Sequence, residues 1–343
     1  MTARFPSTRY QGSKAKLSNW IWEQVADLNF ITCLDAFGGT GAVAYRFKQA
    51  EKQVTYNDNL RFNYHIGSAL IENSQYSLNN NEVNWLLDKH HNISYPTFIQ
   101  DNFHDIYFTD EENAWIDQTI TNIRHLNDPY KYALAFFALC QACIIKRPYN
   151  LFHRKNLYIR FAEVERSFGN KATWDRPFTE WFRVFIEEAN QAVFDNGKNN
   201  RAMNLDYMDI PDEYDLVYID TPYISKRSVP VDYFWYYHFL EGLTIYDEWG
   251  KYIDRSSKHL RLKPRINEWT DKNLIYGAFD KLFKKFQKSI LVVSYRSDGI
   301  PSETELISIL KRYKKKVNVI HYGQYKYVLS TNAESKEILL IGR

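Results

Sequence analysis

Four consecutive residues, Asp220-Thr221-Pro222-Tyr223, set a carboxylate, a small polar residue, a rigid proline and a phenol at the end of the apolar run DLVYID (215–220). A carboxylate beside a proline-stiffened turn can grip a planar amine, and a phenol can lie on the ring that bears it. The exocyclic amine of adenine or cytosine is a poor nucleophile because its lone pair is delocalised into the ring. Hydrogen bonds from that amine to Asp220 and to the backbone carbonyl of Thr221 favour the pyramidal form needed for attack, and positioning of this kind supplies several kcal/mol. A base buried in duplex must first be everted to reach such a group.

A second chemical stretch lies far upstream. LDAFGGTGAVA offers an acid at Asp35, an aromatic at Phe37, and glycines at 38, 39 and 41 that let a ligand approach the backbone. It lacks the full G-x-G-x-x-G of a dinucleotide site and the G-K-[ST] of a phosphate loop. The next strand, QVTYND, ends at Asp58, where an acid can accept hydrogen bonds from ribose hydroxyls. An aromatic, glycines and flanking acids suit a nucleoside that carries positive charge and no phosphate, as S-adenosylmethionine does. The competing reading is a structural glycine turn in another α/β protein.

The elements that must position these groups alternate. A strand FITCLDAF, a helix over Ala42 to Gln49, the strand QVTYND and a helix across Leu60 to Glu72 make a βαβ unit. After a long helical stretch, β character returns at RAMNLD, DLVYID, SILVVSY, VNVIHY and EILLIG. The expected fold is α/β, an open and mostly parallel sheet. We expect a catalytic domain from residues 1–75 and 200–343, a helical insertion over 76–199, and a second excursion over 224–285 within the catalytic domain. Tyr325 to Asn332 is expected to form a closing hairpin.

Bulk properties agree without deciding. The 343 residues hold 26 Tyr, 22 Phe and 9 Trp and carry a formal net charge of +3, a weak pointer to a polyanionic partner. Cys140 and Cys143 form a C-x-x-C inside an apolar run with no second ligand pair nearby, so no metal is expected. That run is shorter than the ~20 residues a membrane span takes. With three cysteines and no signal peptide, a reducing cytoplasm is the expected compartment.

In combination these segments resemble the Dam-like, D12 class of adenine-N6 DNA methyltransferases. RYQGSKAKL is similar to the amino-terminal motif of that family, DAFGGTG to its cofactor loop, YNDN to its ribose-binding acid, and DTPY to its D-P-P-Y tetrapeptide. VVSYRSDGIPSETEL and YKYVLSTN resemble its carboxy-terminal motifs, and the order matches the α arrangement. Thr221 replaces the first proline of D-P-P-Y and Ser13 the second glycine of the amino-terminal motif.

The resemblance implies a doubly wound, seven-stranded sheet of the class I S-adenosylmethionine-dependent methyltransferase fold, with an antiparallel last strand. It implies Phe37, Gly39, Gly41 and Asp35 around the methionine part of the cofactor, Asp58 on the ribose and Asp206 on the adenine amine. Tyr10, Gly12 and Lys14 would cover the cofactor, Lys14 meeting its carboxylate, while Asp220, Thr221, Pro222 and Tyr223 receive the flipped base. The implied partners are double-stranded DNA and a cognate restriction endonuclease encoded nearby. Cytosine-N4 methylation and a catalytically silent DNA-binding module are the alternatives.

DNA contacts are expected where basic and aromatic residues interleave. These are Lys146, Arg147, Tyr149, Arg154 and Lys155 in one stretch, Lys171, Trp174 and Arg176 in a second, and Lys226 and Arg227 after the catalytic turn.

Overall fold

The computed structural model describes residues 3–163, 171–225, 231–324 and 336–343. The chain divides into two compact units: Met1–Gln11 with Ser68–Asp195 and Phe234–Pro264, and Gly12–Gly67 with Asn196–Tyr233 and Arg265–Arg343. This corrects the expected boundaries. The first eleven residues and 234–264, half of the second excursion, belong with the helices and not with the sheet. A periodic sequence shows where an element starts but not which surface its apolar side will meet.

Among the described residues the sheet unit holds nine strands: β1 Thr32–Asp35, β2 Gln53–Asn57, β3 Arg201–Met203, β4 Leu216–Ile219, β5 Ile224–Ser225, β6 Ile290–Arg296, β7 Gly299–Ile300, β8 Val317–Gln324 and β9 Lys336–Gly342. Seven of them form one sheet in the order β3-β2-β1-β4-β6-β9-β8, while β5 and β7 form a separate short ribbon. The links from β3 to β6 are parallel, and β9 runs antiparallel to both its neighbours. The doubly wound, mostly parallel seven-stranded sheet is therefore present. All four β4 residues are buried, as befits a central parallel strand covered on both faces. Leu34, Val217, Ile219 and Val293 pack in one core cluster with Phe279 and Phe283 of the helix Ile275–Lys285.

Asp215 sets the β1–β4 register. Its Oδ2 accepts the backbone N–H groups of Ile31 at 2.9 Å and Thr32 at 2.8 Å, just before the two strands run side by side. Chain order reverses between β1 and β4, because β2 and β3 lie on one side of β1 and β6 lies beyond β4. A crevice at the carboxyl ends of strands at such a switch point is where open α/β sheets bind ligands.

Helix starts in the other unit follow sequence signals. Asn79 with Glu82 and Thr109 with Glu112 each close a capping box, and Asp128 caps a helix whose first residue is Pro129. The helix Pro129–Ile145 is buried continuously from Ala133 and packs along Phe178–Ala192. Cys140 and Cys143 lie inside it, and burial pushes both thiols well above their ordinary range. The helix expected across Leu60 to Glu72 is two pieces, Arg61–Gly67 and a wider turn over Ser68–Glu72. No helix among the described residues is long and apolar enough to cross a membrane. The expected hairpin over Tyr325 to Asn332 lies outside the described residues.

Candidate active site

Both chemical stretches leave the sheet at adjacent strand ends. Asp35 pairs with Tyr218 across the parallel β1–β4 ladder, and the Ala36 N–H donates to the Tyr218 carbonyl at 3.0 Å. Phe37 and the glycine turn therefore emerge next to Asp220, one strand spacing away, roughly 4.8 Å.

The turn needs its glycines. Gly39 has φ +52° and Gly41 φ +75°, the left-handed region that side chains disfavour. Gly41 caps the helix Ala42–Gln49, which matches the expected span. Gly38 is crowded instead: an added Cβ would lie 2.0 Å from the Tyr56 ring, which is fully buried and pinned by bonds from its hydroxyl to the carbonyls of Gly39 and Asn63.

Asp58 closes β2 and is built into the same turn. Its carboxylate accepts the N–H of Gly39 at 2.9 Å, the N–H of Leu60 at 2.8 Å and the side-chain amide of Asn63 at 3.1 Å. A carboxylate offers about four acceptor sites, so capacity remains for a hydroxyl. Burial raises its pKa to about 6, against the pull of those donors. Asp35 is buried more deeply, and its Oδ1 has no hydrogen-bond partner among the described residues. Burial first, and then the nearby charge of Asp220, raise its pKa to about 8.

A buried carboxyl group that takes backbone hydrogen bonds from Ala44 and Phe37 but keeps Oδ1 without a partner, beside a glycine turn without phosphate ligands, fits a cationic nucleoside such as S-adenosylmethionine. When bound, that group would supply an electrophilic methyl carbon. Asp35, Phe37, Gly39, Gly41 and Asp58 are the residues of this unit that would hold it. Phe37 is half-buried, edge-on to Trp269 at 5.1 Å and near Tyr207 at 6.3 Å. Asp206, by contrast, is exposed in a turn where its Oδ1 accepts the Met208 N–H at 3.0 Å.

The raised pKa values fix a pH dependence. An Asp in the unfolded chain titrates near 4, so between that value and about 8 the folded chain binds more protons at Asp35. Stability falls as pH rises wherever the native state holds the extra proton. Asp35→Asn should flatten the decline in unfolding free energy between pH 5 and 8, measured by denaturant titration of the free protein. An unchanged slope would show that Asp35 is not the group responsible.

Around the tetrapeptide the phenol is turned inward. Tyr223 is buried, its ring edge-on to Tyr295 at 5.2 Å, and its hydroxyl donates to Asp220 Oδ1 at 2.6 Å. Lys14 is also buried. Its Nζ donates to Asp220 Oδ1 at 2.9 Å and to the Tyr223 hydroxyl, and lies 4.8 Å from the Tyr223 ring centre. The physical reason is the neighbouring acid, since a buried ammonium must be paired. Glu337 completes the group from the adjacent end of β9. It is fully buried, 3.5 Å from Lys14 Nζ and 3.3 Å from the Tyr223 hydroxyl, and it accepts the Ser294 hydroxyl.

Thr221 is buried, with an Oγ1 that finds no partner among the described residues, and Pro222 is half-buried. Gly12 has φ +81°, and a Cβ there would meet the Tyr233 hydroxyl at 2.3 Å. Tyr10 belongs to the helical unit, where its ring stacks on Tyr237 at 4.5 Å. Sequence reasoning missed Glu337 and Ser294. The available signal was an acid inside the otherwise apolar strand EILLIG, where a charge demands a partner.

The expected DNA contacts separate into two groups. Lys146, Arg147 and Trp174 are corrections, because all three are buried. Lys146 pairs with Glu112 at 2.7 Å and donates to the Arg176 carbonyl at 2.8 Å. Arg147 donates to the carbonyls of Tyr107, Leu151 and Arg154 and to the side chain of Asn156. Long cations in an aromatic-rich helical unit have been recruited to satisfy backbone carbonyls. Tyr149, Arg154, Lys155 and Lys171 are exposed and Arg176 is partly so, held by Glu180 and over the Trp181 ring. Lys226 and Arg227 lie outside the described residues.

A family model for the D12 class N6 adenine-specific DNA methyltransferases matches residues 10–298. A type II methyltransferase, M2.HphI of Haemophilus parahaemolyticus, is 31% identical over 98% of this chain and 97% of its own length. M.NlaIII of Neisseria lactamica is 23% identical over 89% of this chain and 88% of its own. M.FokI of Planomicrobium okeanokoites is 27% identical, and there the match spans only 47% of the longer relative. A match from the amino-terminal lysine motif through the tetrapeptide, with a relative similar end to end, makes this chain a member of the D12 class of N6 adenine-specific DNA methyltransferases.

Proposed function

We propose that the chain takes a methyl group from S-adenosylmethionine and places it on N6 of an adenine everted from a short specific duplex sequence. We further propose that it does so in the cytoplasm as the modification arm of a restriction–modification system with a cognate endonuclease. The observation that carries this reading is the adjacency of the glycine turn after β1 and the tetrapeptide after β4, across one parallel ladder at the switch point of the sheet. In this reading Asp220 and the Thr221 carbonyl hold the adenine amine. Pro222 stiffens the turn, and Tyr223 meets the base once its ring is uncovered. Asp35, Phe37, Gly39, Gly41, Asp58 and Asp206 hold the methyl donor, with Gly12 and Tyr10 on the segment leading into the site.

The test uses labelled S-adenosylmethionine and genomic DNA from a host lacking methylation, digested afterwards to nucleosides. Label in N6-methyladenosine is the expected result. Label in N4-methylcytosine, or none in any pool, would overturn the reading.

Tyr149, Arg154, Lys155, Lys171 and Arg176 remain the DNA contacts we propose. Each phosphate contact contributes roughly 0.9 to the slope of log affinity against log salt. Replacing Arg154 and Lys155 together by alanine should therefore reduce that slope by about 2 in a duplex-binding titration over salt. A slope equal to that of the unaltered protein would remove both residues from the interface.

A further inference from the structure

We infer that Glu337 is a positioning residue for methyl transfer, holding Lys14 so that the Asp220 carboxylate keeps its negative charge for the adenine amine. The inference deepens the reading given above and rests on it. The group that carries it is compact. Lys14 Nζ is 2.9 Å from Asp220 and 3.5 Å from Glu337, and the Tyr223 hydroxyl stands 2.6 Å from one acid and 3.3 Å from the other. The Asp220 side chain keeps 16% exposure, while Lys14 keeps 6% and Glu337 none. Of the three charged groups, the one that can meet a substrate is thus the tetrapeptide acid, and the other two stand behind it.

A lysine paired with Asp220 alone would cancel the charge that the amine needs. Dividing the ammonium between two carboxylates weakens that cancellation and fixes which Asp220 oxygen is occupied, namely Oδ1. The charge matters because of the reaction. N6 forms its bond to the methyl carbon with its own electron pair, the pair of the broken carbon–sulfur bond stays on sulfur, and one positive charge appears on N6. The surplus N6 proton then leaves to water. An additional buried negative charge close to that nitrogen favours the transition state more than the neutral amine, which raises rate without raising affinity. Ser294 donates to Glu337 and Tyr223 reaches it, so the acid is solvated by fixed groups where water is absent.

The test compares Glu337→Gln, the double variant Glu337→Gln with Lys14→Gln, and the unaltered full chain. Donor affinity is measured calorimetrically without DNA, and transfer is followed to labelled genomic DNA. Glu337→Gln should lower kcat by about 30-fold, within the range seen when one preorganised electrostatic group is lost. Donor Kd and the KM for DNA should stay within about twofold, because the lost interaction acts in the transition state. Glu337→Gln leaves Lys14 paired with Asp220 at 2.9 Å, so the single variant should fold, and the double variant removes both the acid and the ammonium it holds. The kcat of the double variant should recover towards that of the unaltered chain, because without the ammonium nothing cancels the Asp220 charge, so the two changes are not additive.

Near-normal kcat in the single variant would overturn the inference, as would a double variant as slow as the single one or a donor Kd weakened as much as kcat. The two claims fail separately: no N6-methyladenosine from the unaltered chain sinks the function, whereas normal N6 labelling by Glu337→Gln sinks only the role of Glu337.

Discussion

Replacing Asp220 by alanine should reduce methyl transfer by about 10³-fold or more, in the range for losing a main electrostatic and positioning group. The loss belongs to kcat, and S-adenosylmethionine affinity measured without DNA should change by less than about threefold. The reason is location: Asp220 stands at the end of β4 with Lys14 and Tyr223 on its Oδ1, whereas the groups we propose to hold the donor leave β1 and β2. Removing the acid does not orphan the ammonium, because Glu337 remains 3.5 Å from it. The fold should therefore survive the change, which makes the variant informative. Single-turnover labelling of genomic DNA measures the rate. Residual turnover above about a tenth of normal would remove Asp220 from its assigned place.

The second large effect is on stability. Arg147→Met should destabilise the helical unit by about 3–5 kcal/mol, the cost of breaking a buried charged network by removing one partner. Arg147 is 1% exposed, and its guanidinium donates to Tyr107 at 2.9 Å, Leu151 at 3.2 Å and Arg154 at 3.0 Å, each through the carbonyl oxygen. The cation also lies 4.4 Å from the Tyr107 ring. Methionine matches part of the volume and none of the donors, so three carbonyls lose a partner in a place closed to water. Denaturant unfolding should show a lowered midpoint, and the salt slope of duplex binding should not change. The opposite pattern, intact stability with a reduced slope, would return Arg147 to the DNA interface.

These two predictions separate what residue type signals from what burial decides. Asp220 and Arg147 are both polar residues in motif-like surroundings, DTPY and KRPYNLFHRK. The first could be read because its chemistry is local: the acid, the carbonyl and the proline act within four residues, and a central apolar strand ends where they begin. The second was misread because a run of Lys and Arg among aromatics has the same composition whether it faces phosphate or backbone carbonyls. Lys14 shows the same ambiguity: a cation suits a ligand carboxylate or a protein one, and nothing in RYQGSKAKL says which acid is nearer.

Sequence determined the parts that depend on local pattern. The strand cores, the helix Ala42–Gln49, the glycine turn and the tetrapeptide all follow from periodicity of apolar residues and from glycine and proline chemistry. Tertiary structure alone decided the rest. It joined residues 234–264 to the helices, turned the Tyr223 hydroxyl inward and brought Glu337 to Lys14 across more than three hundred residues of chain. The physical reason is that a buried charge is specified by its neighbours in space, and Glu337 is placed by β9 running antiparallel between β6 and the edge strand β8.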